Sequence, residues 1–94
     1  MVTLFETVRQ RVQDGRYVVS VHAADRLEER GLLEWQVVDG VDAGTLIVER
    51  PDDRPNPVVE IEQTLADGIP IKVVWAYLRQ ADIAKLVTVH FFDE

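Results

Sequence analysis

The amino-acid sequence predicts an α+β domain in which N-terminal helices pack on one face of a mainly antiparallel four-stranded sheet. Three observations predict it. Up to about residue 43 apolar residues recur at helical spacing, whereas beyond Gly44 they gather in short β-branched and aromatic runs bounded by Pro, Gly and Asp. Asp67-Gly68 separates two of these runs, the strongest short-range signal for a hairpin. A chain of 94 residues has room for one core, because it hides only roughly 60–70% of its unfolded surface.

The first helix is announced by a capping box: Thr3 accepts from the backbone three residues on, and Glu6 reaches back. Leu4, Phe5, Val8 and Val12 then recur along one side, and Gly15 supplies the stop. Tyr17–Val19 reads as a short extended piece. Ser20 caps a second helix over His22–Arg30, ended by Gly31. Its apolar stripe is Val21, Ala24 and Leu27; the opposite stripe carries His22, Arg26, Glu29 and Arg30. A third helix over Glu34–Ala43 is expected to bury Trp35, Val38 and Val41 and to stop near Gly44. Strands are expected at Thr45–Glu49, Val58–Leu65, Ile71–Leu78 and Lys85–Phe92, with a proline-rich loop at Pro51–Pro57 between the first two. The last two strands are apolar on both faces, as central strands are, so Val74 and Val87 are expected in the core.

Composition narrows the function. The chain has no cysteine, which excludes thiolate zinc sites and iron–sulfur centres, and neither His22 nor His90 lies in a paired ligand motif, so no metal and no cofactor is expected. The N-terminus carries charges where a signal peptide needs an apolar run, and the longest apolar stretch, Val73–Leu78, is far short of the ~20 residues of a membrane helix; the expectation is a cytoplasmic protein with no membrane partner. The net charge of −7 opposes generic nucleic-acid binding, but the acidity is local. Residues 1–31 balance five Arg against five acids, residues 32–62 hold eight acids and two Arg, and residues 63–94 are nearly balanced.

The cluster His22, Arg26, Glu29, Arg30 has spacings that put its members on one side of a helix. As a solvated face it would carry one surface ion pair worth less than ~1 kcal/mol, and truncating His22 or Arg26 would cost under ~0.5 kcal/mol. As a site, an imidazole between guanidinium groups can exchange protons while the cations hold a phosphate. His90, near the end of the last strand with Thr88 and Leu86 on its face, is the second imidazole. Lys72 is a cation inside an apolar strand, where it can equally snorkel to water. Trp35, Trp75 and Tyr77 read as core, although aromatics on an open sheet could stack bases. Ser20, the only serine, reads as a cap rather than a nucleophile.

The pattern Ser20-Val-His22-Ala23-x-x-Arg26-x-x-Glu29-Arg30-Gly31-Leu32, with a third helix, an Asp-rich turn and a closing Leu86-Val-Thr88-Val-His90, resembles a small bacterial family of unknown function. That family has a His-Ala-x-x-Arg-x-x-x-Arg-Gly helix and is placed among RelE/ParE-like toxins; BrnT-like and MqsR-like ribonucleases are similar to it. The resemblance covers residues 16–92, with residues 1–15 as an additional helix of the same domain, 1–94. It implies a RelE/ParE-like fold and a toxin-like, metal-independent endoribonuclease of the mRNA interferase type. Its RNA-cleaving side chains would be His22, Arg26 and Arg30 from the helix motif, with Lys72, Tyr77 and His90 matching by type. His22 or His90 would take the 2′-hydroxyl proton and the other would protonate the leaving oxygen, with Arg26, Arg30 and Lys72 neutralising charge. An antitoxin would be the protein partner, its basic segment meeting the acidic middle third. The competing expectation is a non-catalytic protein–protein interaction module of the same fold, which fits the acidic balance more easily.

Overall fold

A computed structural model describes residues 2–92 as α1 (Leu4–Gln13), β1 (Tyr17–Val19), α2 (Val21–Glu29), α3 (Glu34–Gly40), β2 (Thr45–Arg50), β3 (Val58–Thr64), β4 (Pro70–Leu78) and β5 (Ile83–Phe91). The strands form one five-stranded sheet in the order β1-β5-β4-β3-β2. The last four make an antiparallel meander. β1 adds to β5 in parallel, Tyr17 opposite Ala84 and Val19 opposite Leu86. The sheet is therefore mixed and five-stranded rather than four-stranded and antiparallel. Three residues are too few for alternation to reveal a strand, and only hydrogen bonds to β5 decide their place.

Alternation puts Val59 and Ile61 of β3, Ile71, Val73 and Trp75 of β4, and Ala84, Leu86 and Val89 of β5 on the helix-covered face. Val8 and Val12 of α1, Ala23 and Leu27 of α2, and Val37 of α3 close this core. α1 lies over β5, β4 and β2, α3 over β3, and α2 along β5. α1 is thus built into the core, although the resemblance treats it as an addition. Thr3 Oγ1 accepts from the Glu6 amide at 3.1 Å, and the free Phe5 amide at this helix start donates to Glu49 of β2 at 2.7 Å.

Four side-chain expectations are corrected. Trp35 is 60% exposed, because α3 turns Val37 and, four residues on, Val41 to the sheet; Trp35 lies on the other side. Val21 is 80% exposed and Ala24 is exposed, because α2 buries Ala23 and Leu27 instead. Val87 is only half-buried. The β4–β5 register shifts between Val74 and Trp75, so Val74 faces Thr88 while Trp75 faces Leu86, and Val87 is the extra residue of a bulge. Leu86 and Val89 both reach the core, and Leu86 does not share a face with His90. Trp75 is fully buried, edge-on to Tyr17 with ring centroids 6.1 Å apart, so it cannot stack a base.

The Asp67-Gly68 signal holds: the Gly68 amide donates to Leu65 O at 2.8 Å, and Gly68 takes φ +89°, a conformation that favours glycine. Gly44 serves close packing; a Cβ there would lie 2.5 Å from Ile61 Cγ2. At the β4–β5 turn, Asp82 receives Arg11 Nε at 2.8 Å and the Tyr77 hydroxyl at 2.5 Å, tying α1 to the far end of the sheet. Both bonds hold the Asp82 carboxyl below its usual range. Among the described residues, no helix is long and apolar enough to cross a membrane.

Candidate functional site

β1 stops opposite Leu86 while β5 runs on to Phe91, so among the described residues half of one β5 edge has no strand beside it. α2 takes that place. The Ser20 amide donates to Leu86 O at 3.0 Å and its hydroxyl to Val87 O at 3.1 Å. Arg26 Nε donates to Val89 O at 3.1 Å. Unpaired strand edges invite misassociation, and here side chains of the helix occupy the carbonyls. Ser20 Oγ also accepts from the Ala23 amide at 2.9 Å, so the predicted cap holds both helix and strand.

This docking turns the polar stripe of α2 toward the end of β5 and the helix-free sheet face. His22 Nε2 lies 3.1 Å from Thr88 Oγ1. Arg26 Nη2 lies 3.4 Å from His90 Nδ1, and Nη1 lies 3.7 Å from the exposed Glu29 carboxylate. Lys72 stands directly opposite His90 in the β4–β5 register. Its ammonium is 3.6 Å from Glu60 Oε1, whose other oxygen accepts from Arg50 Nη1. A row of charged and polar groups therefore crosses the sheet from Arg50 through Glu60 and Lys72 to His90 and Arg26.

A guanidinium only donates, so His90 Nδ1 accepts and the proton of the neutral ring sits on Nε2. Burial lowers the His90 pKa below its ordinary 6.5, and the cations Arg26 and Lys72 lower it further against an opposing Glu60. His90 is neutral at pH 7. Burial alone would raise the Glu60 carboxyl, but the Arg50 hydrogen bond and the charges of Arg50 and Lys72 outweigh it and hold Glu60 ionised. A neutral N–H donor between two cations is suited to an oxyanion.

The structure brings His22, Arg26, Lys72 and His90 together and leaves two others apart. The Arg30 guanidinium lies 5.4 Å from the centroid of Phe91, a ring packed against the helix-side core. Tyr77 also packs against that core, with its hydroxyl on Asp82. Sequence reasoning missed Glu60, whose signal was an acid at an alternating position of a strand, Glu60-x-Glu62. A depression of about 430 Å³ adjoins His22 on the helix-free face, floored by Val58, Ala76 and Val87. A larger hollow of about 610 Å³, between residues 51–57 and 78–81, contains none of these residues. Among the described residues, no group of three or more His, Cys, Asp or Glu could hold a metal ion.

A family model described as a domain of unknown function, DUF4258, matches residues 19–91. The chain belongs to the DUF4258 family. No curated protein and no solved structure matches it. The DUF4258 region begins on β1 and ends on β5, so it contains the whole His22–His90 cluster and leaves α1 outside.

Proposed function

We propose that the chain is a toxin-like, metal-independent endoribonuclease on a RelE/ParE-like fold, and that the helix-free face beside α2 cuts RNA. One observation carries the reading: two imidazoles, a guanidinium and an ammonium, spread over residues 22–90, meet at the edge of a single sheet face. In this reading a ribose 2′-hydroxyl attacks the adjacent phosphate. A bond from O2′ to phosphorus forms as the bond to O5′ breaks, giving a 2′,3′-cyclic phosphate and a 5′-hydroxyl. His22 takes the 2′-hydroxyl proton, and the Lys72 ammonium gives one to the departing O5′. His90 donates its Nε2–H to a phosphoryl oxygen. Arg26 acts through His90, holding its Nδ1 and the β5 edge, and is a positioning residue. Arg30, on the other side of β5, contributes charge from a distance. Side chains fill every role, so no metal is required.

The experiment is a cleavage assay with purified protein, with and without ribosomes, in excess chelator. His22→Ala and Lys72→Met are expected to cut at least ~10²-fold more slowly than wild type at unchanged melting temperature. RNA with a 2′-deoxy nucleotide at the cleavage position is expected to resist. Loss of cleavage on adding EDTA, or no cleavage by wild type in either format, refutes the reading.

A second reading, a non-catalytic interaction module, is favoured by β2. This edge strand exposes three consecutive apolar residues, Leu46, Ile47 and Val48, at 37%, 43% and 38%. Natural sheets guard such an edge or use it. Glu62 pairs with Thr45 across the β2–β3 register, and residues 32–62 hold eight acids against two Arg, which suits a basic extended segment such as that of an antitoxin. This reading predicts that Ile47→Glu abolishes binding of a co-expressed neighbouring-gene partner while His22→Ala leaves it intact.

A further inference from the structure

We propose that the 430 Å³ depression beside His22 is a nucleotide subsite, taking the base and flanking phosphate of the residue next to the one that is cut. The inference deepens the ribonuclease reading and rests on it for the position of the scissile phosphate. The floor is made by register and by the bulge. Val58 pairs with Ala76, and Ala76 with Lys85, so β3, β4 and β5 present one row to the helix-free side. Ala76 is the small residue of that row, and the bulged Val87 stands beside it, which leaves a shallow apolar bed among valines.

The rim is cationic. Arg54 comes from the loop before β3, Lys85 from β5 and His22 from the start of α2. Among the described residues, neither Arg54 nor Lys85 forms an ion pair with a carboxylate, although the chain has seventeen acids to offer. Two uncommitted cations around an apolar bed, on a chain of net charge −7, match a ligand that joins an anion to a flat apolar ring. The volume is near the lower end of the ~300–1,000 Å³ of small-ligand sites, which fits one nucleotide rather than a length of strand. His22 belongs to both the rim and the cluster, so the subsite and the reacting centre adjoin. Arg54 and Lys85 lie outside the His22–Arg26–His90–Lys72 group and take no part in proton transfer.

The test uses the full chain and a DNA dinucleotide, which lacks the 2′-hydroxyl and cannot be cut. Its binding is measured by calorimetry, with inorganic phosphate as the comparison probe. Wild type is expected to bind the dinucleotide at least tenfold more tightly than phosphate. The double variant Arg54→Gln/Lys85→Gln is expected to lose at least tenfold in affinity at unchanged melting temperature. Ala76→Ile, which fills the bed and keeps the cations, is expected to weaken the dinucleotide and spare phosphate. Equal binding of dinucleotide and phosphate, equal binding by wild type and double variant, or no binding at millimolar dinucleotide overturns the proposal. If wild type cuts RNA and the double variant has an unchanged KM, the subsite is wrong and the ribonuclease reading stands. If the dinucleotide binds as expected and no RNA is cut, the subsite stands and the cleavage reading fails.

Discussion

Arg26→Ala is the substitution on which a solvated-face reading and the structure disagree most. On a solvated face it costs less than ~0.5 kcal/mol. In the structure the Arg26 side chain is 16% exposed and its Nε donates to the Val89 carbonyl, on the part of β5 beyond the end of β1. Truncation leaves that carbonyl without its donor, at a cost of about 1–3 kcal/mol. It also removes a methylene stem laid against the strand. The 3.7 Å contact to the exposed Glu29 adds little. A loss of about 2 kcal/mol in a domain of this size lowers the melting temperature by roughly 8–16 °C. Arg26→Met keeps most of the stem and removes the donors, so it is expected to retain most of the loss. The assay is thermal unfolding by circular dichroism, with amide exchange at His90 and Phe91 reporting whether the end of β5 opens. An Arg26→Ala protein melting within about 2 °C of wild type would refute the account of α2 as the cover of the β5 edge.

The His90 pKa is depressed in the folded state, so the unfolded chain binds more protons just below pH 6.5 and stability falls as pH drops through that window. Urea unfolding at pH 7.5 and 5.5 is expected to show a smaller difference for His90→Gln than for wild type; an equal difference contradicts the assignment. Gly44→Ala is expected to cost about 1–3 kcal/mol in chemical denaturation, because the added methyl meets Ile61 Cγ2 at 2.5 Å. Val87→Asp is expected to fold cooperatively with a loss below about 1 kcal/mol, whereas Val89→Asp, which puts a carboxylate in the core, is expected not to fold. Similar denaturation curves for these two aspartates would show that the bulge is misplaced.

Much of this architecture is legible in local chemistry. Thr3 and Ser20 cap helices as their side chains require, Gly68 takes the turn, and the valine- and isoleucine-rich runs form the meander strands to within two residues at their ends. These features depend on groups a few residues apart, so a linear reading reaches them. The cluster was legible in part for the same reason, since helical spacing puts His22 and Arg26 on one side of α2.

What only the tertiary structure decided depends on partners far along the chain. The three residues of β1 become a strand because β5, more than sixty residues later, offers them hydrogen bonds. The buried side of α2 is Ala23 and Leu27 because Ser20 and Arg26 meet carbonyls that β1 leaves open. One extra residue at Val87 breaks the alternation that would put Leu86 beside His90 and instead sets Thr88 within reach of His22. Arg30 shares the helix motif with Arg26, yet stands over Phe91, a ring on the core side of β5. Periodicity states which side chains share a face of one element. Only the packing of that element against a strand edge states what the face meets, and in this chain the difference separates an exposed stripe of charge from a cluster of histidines, arginine and lysine.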